Sequence, residues 1–480
     1  MPKDIITPRD KDYSQWYLDV IKAADLADYA EVVRGCIVFK PNGYAIWEHI
    51  QKALDERIKE TGHVNAYFPL LIPKSFITKE AEHVEGFAPE LFEISSIGGD
   101  VLADPYVIRP TSETIIGHFY AQWINSWRDL PLLINQWANV MRHEKRTRPF
   151  LRTAEFLWQE GHTVHATEED AERETLMILN DVYTDFVENE MALPVLRGRK
   201  TEKEKFAGAL RTYTIEAMMQ DGRSLQAGTS HNLGQNFATA FDITYLDKDN
   251  TLKHAWTTSW GVTTRLIGAL IMAHSDDEGL IIPPRLAPIQ VVLVPIFKND
   301  SERAIALEAA AKLTAQWKGK IRFKVDDRDY VSPGFKYNEW ETRGVPIRVE
   351  LGPRDIEKNT VAVARRDMPG KAGKVFVSQE SLTEYLVELL ETIQKALFDR
   401  AFQFRADHTF DVSNLEELKV AVDQGFARAY WAGTTEDEDR IQTEFKATVR
   451  AIPFDQPTQS GRCIVTGVET TQQVILARAY

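Results

Sequence analysis

Apolar positions along this chain fall into two spacings. In "YAIWEHIQKALDERIKETG", Ile46, Ile50, Leu54 and Ile58 recur at helical spacing and stop at Gly62, which predicts an amphipathic helix. A strand over "CIVF" and a Pro-Asn-Gly turn at Pro41–Gly43 are predicted before it. Residues 12–35 also read as helical. "NAYFPLLIP" reads as one short strand, and Pro69 and Pro73 put it at an edge or an end. From about 105 to 275, short strand-like pieces alternate with helices: "YVIRP", "LLINQWANVMRH", "FLWQEGHTVHA", "SLQAGTSHNLG" and "TYLDKD". Their turn-length connections suit a mostly antiparallel sheet. A helix is predicted from Glu168 to about Glu190 with Thr167 as its N-cap. "GVTTRLIGALIMAH" reads as a buried helix.

"LIIPPRLAPIQ" carries three prolines in six residues and breaks any element. Beyond it the spacing changes. "QVVLVPIF", "IRFKVDD", "VPIRVELG" and "TVAVARRD" are strand-like and alternate with helical pieces, which predicts an α/β domain of about 110 residues. A long helix at about 380–400 ends it. The last 80 residues form a third unit with a charged helix and a β-like end, "CIVTGVETTQQVILARAY". The fold class is α/β and multidomain.

Composition narrows the setting. The 480 residues allow two to four domains, and 44% apolar with 27% charged content is ordinary for a soluble globular chain. No stretch approaches the roughly 20 apolar residues of a membrane span, so no membrane partner is expected. "MPKDIITPRDKDYSQW" lacks an apolar core, so no secretory leader is expected. Cys36 and Cys463 are the only cysteines, which points to a reducing cytoplasm. The net charge of −14 argues against indiscriminate nucleic-acid binding, although a local basic surface can still neutralise phosphates.

Such a surface exists. From Arg142 to Arg152, five of eleven side chains are Arg or Lys, within "MRHEKRTRPFLRTAEFLWQEGH". Arg142 and Glu144 share one face if the segment is extended. Arg152 and Phe156 follow across a loop. Arginine forks suit polyphosphate, and an aromatic face suits a nucleobase. A solvated charged hairpin is the equally weighted alternative. Arg265 stands one turn into the apolar helix, where a buried charge needs an anion unless it reaches solvent from a helix end. "RPTSET" places Thr111 and Glu113 before an apolar run; this is either a capping box or a carboxylate facing a substrate ammonium. "LQAGTSHNLGQNF" sets small residues around Gln226, Thr229 and His231. There is no metal-spaced cluster, no P-loop and no dinucleotide fingerprint.

In this order these pieces resemble a class II aminoacyl-tRNA synthetase, specifically the prolyl-tRNA synthetases. "NAYFPLLIP" with its preceding helix looks like motif 1, the dimer motif, with Pro69 as its proline. "VMRHEKRTRPFLRTAEFLWQEGH" looks like motif 2 and "WGVTTRLIGALI" like motif 3. "RPTSET" looks like the family's Thr-x-Glu loop, and "VDDRDYVSPGFKYNEWETRGVPIRVELGPRD" resembles its anticodon-binding domain. The resemblance implies a class II catalytic domain over 1–284 with an antiparallel sheet, an α/β anticodon-binding domain over 285–400 and a small α+β domain over 401–480. It implies proline–tRNA ligation by a cytoplasmic homodimer. L-proline, ATP with Mg²⁺, and tRNA(Pro) would be its partners.

The same resemblance implies residue roles. Arg142 would bind the ATP α-phosphate and the proline carboxylate, and Arg142 and Arg265 would be catalytic. Glu144, Arg152, Thr153, Phe156, Gln226, Thr229, Thr263 and Arg265 would hold ATP. Thr111, Glu113, Trp158, Glu160 and His231 would line the proline site. Arg146 and Arg148 would meet the tRNA acceptor end. Glu341, Arg348 and Asp355 would read the anticodon, and the Tyr480 carboxylate would tuck toward the catalytic domain. Two departures follow. Only about 90 residues separate His165 from Trp256, too few for the editing domain of some bacterial relatives, so the chain looks archaeal/eukaryote-like. Ala432, Asp437 and Thr466 stand where zinc-binding relatives carry cysteines beside Cys463. One thiolate cannot build a tetrahedral site, so no structural zinc is expected. A neighbouring class II enzyme for threonine, glycine or histidine is the near alternative. A catalytically dead paralogue that binds tRNA or a protein is the distant one.

Overall fold

Strands with alternating side chains pair here into one large sheet. The computed structural model describes residues 6–79 and 91–480. The 11-stranded sheet runs, in spatial order, 409–411, 426–430, 473–477, 448–453, 195–199, 211–218, 224–234, 256–263, 155–165, 132–141 and 64–65. Only its two end pairs are parallel; the internal pairs are antiparallel.

Each face of the middle strands has its own task. Ile215, Ala217, Trp260 and Val262 project to one side, into a core shared with Trp16, Ile46, Ile50, Leu54, Ile58 and Leu270. That side is covered by the helices Tyr13–Ala23, Pro41–Glu60 and Arg265–His274. Phe156, Trp158, Glu160, Thr229, His231, Ser259 and Thr263 line an open cleft on the other side.

Several expectations change. The first helix stops at Ala23, because Asp25 turns to positive φ (59°), and a short strand, Ala27–Tyr29, follows. Pro-Asn-Gly is the first turn of the Pro41–Glu60 helix rather than a separate turn, since proline is preorganised for that position. "NAYFPLLIP" splits into Val64–Asn65 on the large sheet and Leu71–Pro73 at the edge of a three-stranded one. The Thr167 cap is present, its side chain accepting from Asp170 N–H. The helical run beyond it passes through a π-turn at Ile178–Thr184. The strands Val195–Arg199, Arg211–Met218 and Lys374–Ser378 escaped the sequence reading. Arg211–Met218 is buried on both faces and shows no alternation, Val195–Arg199 is short and partly buried, and Lys374–Ser378 is a mostly exposed edge strand.

Val291–Pro295, Phe323–Val325 and Ile347–Leu351 form the parallel part of a separate five-stranded sheet, with Thr360–Arg365 and Lys374–Ser378 antiparallel beside it. The helix after it, Leu382–Asp407, is longer than expected. The final strands extend the large sheet, because Ile452 and Pro453 pair with Arg199 and Gly198.

Gly43 explains why the Pro41 helix can dock. A Cβ there would press into the Leu26 carbonyl. Gly43→Ala should therefore destabilise the fold by about 1–3 kcal/mol, read as a lower urea midpoint at unchanged m. An unchanged midpoint would refute the close approach.

Candidate active site

The cleft floor is built by register. Glu160 on the 155–165 strand pairs with Gly261, and His231 pairs with Ser259, so their cleft-side neighbours stand in rows. Gln226 and Thr229 are three apart, which on a regular strand would put them on opposite faces. A β-bulge resolves this. Ile215 pairs with Gly228 and Glu216 with Gln226, leaving Ala227 over. Gln226 is thereby returned to the cleft side with Thr229.

One end of the cleft is cationic. Arg142 Nε donates to Pro110 O at 2.9 Å. Its guanidinium lies 5.4 Å from the Phe156 ring centre and 5.9 Å from that of Trp158, so it is aimed by aromatic faces. Arg152 pairs with Glu144 at 3.7 Å. Arg265 is the first residue of its helix rather than one turn in, because the preceding strand holds its register to Thr263. It is held by Leu151 O at 3.2 Å and Thr263 Oγ1 at 3.0 Å. Burial, then Arg152 and Arg142, pull its pKa down to about 10. A helix N-terminus is the wrong end for a cation. Three arginines and a helix N-terminus together make an anion site.

The other end holds carboxylates and a neutral imidazole. Thr111 Oγ1 donates to Glu113. Glu160 is buried and accepts from Ser112 Oγ at 2.5 Å and Gln136 Nε2 at 2.7 Å, with His162 Nε2 at 3.0 Å. Burial alone would lower the His162 pKa, but the Glu160 contact raises it. Burial brings His231 down to about 4, and its Nδ1 lies 2.9 Å from Thr212 Oγ1. Arg109, fully buried, anchors the loop to Phe68 O at 2.8 Å and Asn139 O at 2.7 Å. Such charges suit a polyanion at one end and a cation at the other.

All fourteen residues expected at the ATP and proline sites line this one cleft. Glu204, Phe206, Thr212, His162 and Ser259 line it too and were missed. The alternation Ser259–Gly261–Thr263 could have revealed Ser259; the unread 211–218 strand hid Thr212. Arg148 does not point outward. Its guanidinium lies between the rings of Tyr17, at 5.0 Å, and Tyr480, at 5.4 Å. The Tyr480 hydroxyl bonds Asp221. In the second unit, Glu341 and Arg348 are paired, whereas Asp355 accepts from Gly352 N–H at 2.9 Å as a helix cap. Asp437 likewise caps a helix at Thr434, 2.9 Å away. Among the described residues no group of three or more His, Cys, Asp or Glu is set to hold a metal.

Known families match in the same order. Residues 93–274 match the tRNA synthetase class II core domain (G, H, P, S and T), 290–389 an anticodon binding domain, and 415–480 the prolyl-tRNA synthetase C-terminal domain. A proline–tRNA ligase of Roseiflexus sp. (strain RS-1) is 73% identical over 480 residues, all of both chains. The chain belongs to the prolyl-tRNA synthetases. Proline–tRNA ligases of Chloroflexus aurantiacus, 69% identical over the full length of both, and Natranaerobius thermophilus, 56% identical over 99% of this chain and 98% of its own, agree. As a prolyl-tRNA synthetase it is an aminoacyl-tRNA ligase with a class II core, and the resemblance seen in the motifs holds at that level. Among the described residues no helix is long and apolar enough to cross a membrane.

Burial has a pH consequence in this prolyl-tRNA synthetase. His165, His231 and His274 have folded pKa values of about 4, lowered by burial, against about 6.5 when unfolded. The unfolded chain then binds more protons, so stability is held above pH 6.5 and lost as pH falls toward 4. His162 offsets part of this, since its folded pKa is raised. Each of the three contributes on the order of 2 kcal/mol between pH 7.5 and 5. Urea titrations should show several kcal/mol lost over that interval; equal stabilities would overturn the assignment of neutral buried histidines.

Proposed function

We propose that this chain activates L-proline with ATP and passes it to tRNA(Pro) through the cleft described above. The observation that carries this reading is the convergence of Arg142, Arg152 and Arg265 at one end of a cleft whose other end presents Thr111, Glu113 and neutral His231. In the first step a proline carboxylate oxygen attacks the α-phosphorus. The bond to the bridging oxygen of the β-phosphate breaks, and pyrophosphate leaves with the charge. In the second a terminal tRNA hydroxyl attacks the prolyl carbonyl and AMP leaves.

No side-chain nucleophile is needed; positioning and charge neutralisation do the work. Arg142, at the cationic end but tied to Pro110 O beside Thr111, bridges the α-phosphate and the proline carboxylate. Arg152 and Arg265 hold the phosphate chain with Thr263. Glu144, Thr153, Phe156, Gln226 and Thr229 hold the nucleoside, with Phe156 stacking on adenine. Thr111 and Glu113 accept from the secondary ammonium, and Trp158, Glu160 and His231 wall the ring. Mg²⁺ arriving with ATP would supply further neutralisation of phosphate charge, and Glu144, paired with Arg152, is the acidic side chain at that end that would hold it.

The finer reading is that of an archaeal/eukaryote-like enzyme without an editing insertion, working as a cytoplasmic homodimer. Its units are 1–284, 285–400 and 401–480. Glu341, Arg348 and Asp355 contribute to anticodon reading. The third unit holds no zinc: Ala432, Asp437 and Thr466 supply no thiolate, and Asp437 is committed to a helix cap. Elemental analysis of purified protein should find well under one zinc per chain, and a chelator should leave the melting temperature unchanged. A stoichiometric zinc would refute this.

The deciding experiment is proline-dependent ATP–pyrophosphate exchange. Arg142→Ala should lower it by roughly 10³-fold or more, on the scale of losing one preorganised charge donor. Exchange with no amino acid, in a folded protein, would instead favour a tRNA- or protein-binding paralogue.

A further inference from the structure

Residues 200–210 form an irregular segment at the amino-acid end of the cleft. Glu204 and Phe206 from it line the cleft, and the Phe206 ring centre lies 4.7 Å from that of His231. Within the catalytic unit this stretch is tied by Phe206 N–H to Thr212 Oγ1, 3.0 Å, and by a turn at Thr201 that accepts from Glu204 and Lys205 N–H.

Further ties reach residues far away in sequence. Thr201 Oγ1 donates to Glu438 Oε2 at 2.9 Å, with both residues buried. Lys203 Nζ reaches Asp439 Oδ1 at 2.6 Å and Gln442 Oε1 at 3.0 Å. Glu438, Asp439 and Gln442 belong to the helix Thr435–Phe445. Lys200 Nζ, almost wholly buried, donates to Arg450 O and Glu216 Oε1, each at 2.8 Å. These three anchors immediately precede Glu204.

Other contacts also dock the C-terminal unit. Met218, Phe426, Ile475 and Ala477 already make an apolar contact between the units, and Ile452 and Pro453 continue the sheet. The polar ties instead converge on the stretch that carries Glu204 and Phe206.

We propose that the C-terminal unit braces the 200–206 segment over the amino-acid end of the cleft, making Thr201 and Lys203 positioning residues for proline. The inference rests on the proline-activating reading. Loss of the Thr201 hydroxyl leaves the Glu438 carboxylate short of a donor and frees the segment, so proline binding weakens while phosphate contacts stay.

The test is steady-state exchange with the full chain carrying Thr201→Val, Thr201→Ser, Lys203→Met or the Val/Met pair. Thr201→Val and Lys203→Met should each raise the KM for proline, roughly tenfold for Thr201→Val, with kcat and the KM for ATP within about twofold. Thr201→Ser should restore the wild-type value. Amide hydrogen exchange in a peptide spanning 201–208 should quicken in the Val/Met pair. A KM for proline unchanged in that pair, or KM values for ATP and proline raised alike, would overturn the brace. Should the wild-type chain show no proline-dependent exchange, the functional reading fails by itself. The amide measurement still decides the brace, unchanged protection refuting it.

Discussion

Side chains leave an antiparallel strand alternately to either face, and five adjacent strands here, 211–218, 224–234, 256–263, 155–165 and 132–141, keep that alternation in phase. Everything at the candidate site depends on it. One face is closed by apolar helices and the other is left to carry Phe156, Trp158, Glu160, Ser259 and Thr263. A slip of one residue would exchange the two sets. The count is broken at Ala227 and again between Asn232 and Gly234; the first break serves the cleft by turning Gln226 inward.

On this frame the chain gathers three arginines at one end of the cleft, with Glu144 beside Arg152 at 3.7 Å. Arg265 sits at a helix N-terminus beside Arg142 and Arg152, where both the dipole and the like charges oppose it. Such a grouping fits a triphosphate and its developing charge in transfer. At the opposite end the Glu160 oxygens are shared among Ser112, Gln136 and His162, so that carboxylate is part of a rigid wall. The overall charge of −14 leaves this local field intact because it is defined by neighbours within a few ångströms.

The buried ion cluster shows how the distal unit is joined. Burial alone would raise the Glu216 pKa, yet Lys200 and Arg450 bring it to about 2. Removing either cation would leave a poorly compensated buried carboxylate, which is the costly case for buried ion pairs. Ser224 Oγ donates to the same carboxylate at 2.7 Å, and Glu216 is the register partner of Gln226. The joint between units thus lies beside the cleft floor. Cys463 is buried in the third unit, whose core is apolar, with Trp431, Val449 and Leu476.

Much was legible from the chain itself. Ile46, Ile50, Leu54 and Ile58 are a helix face because their spacing leaves no other way to bury them. The clustering of basic and aromatic residues between Arg142 and Trp158 marked the cleft, and the fourteen residues expected there share one wall set. Periodicity failed where both faces of a strand are buried, as in 211–218, since no alternation is then visible. It also misplaced the start of the Arg265 helix, because "GVT" satisfies strand and helix alike. What only the tertiary structure decided is which residues meet across long loops: the turning of Gln226 by a bulge, the capture of Arg148 by Tyr17 and Tyr480, and the union of Lys200, Glu216 and Arg450. Local spacing determines the elements because burial of a face is a local demand. These meetings are set by register and docking, which depend on partners up to hundreds of positions away.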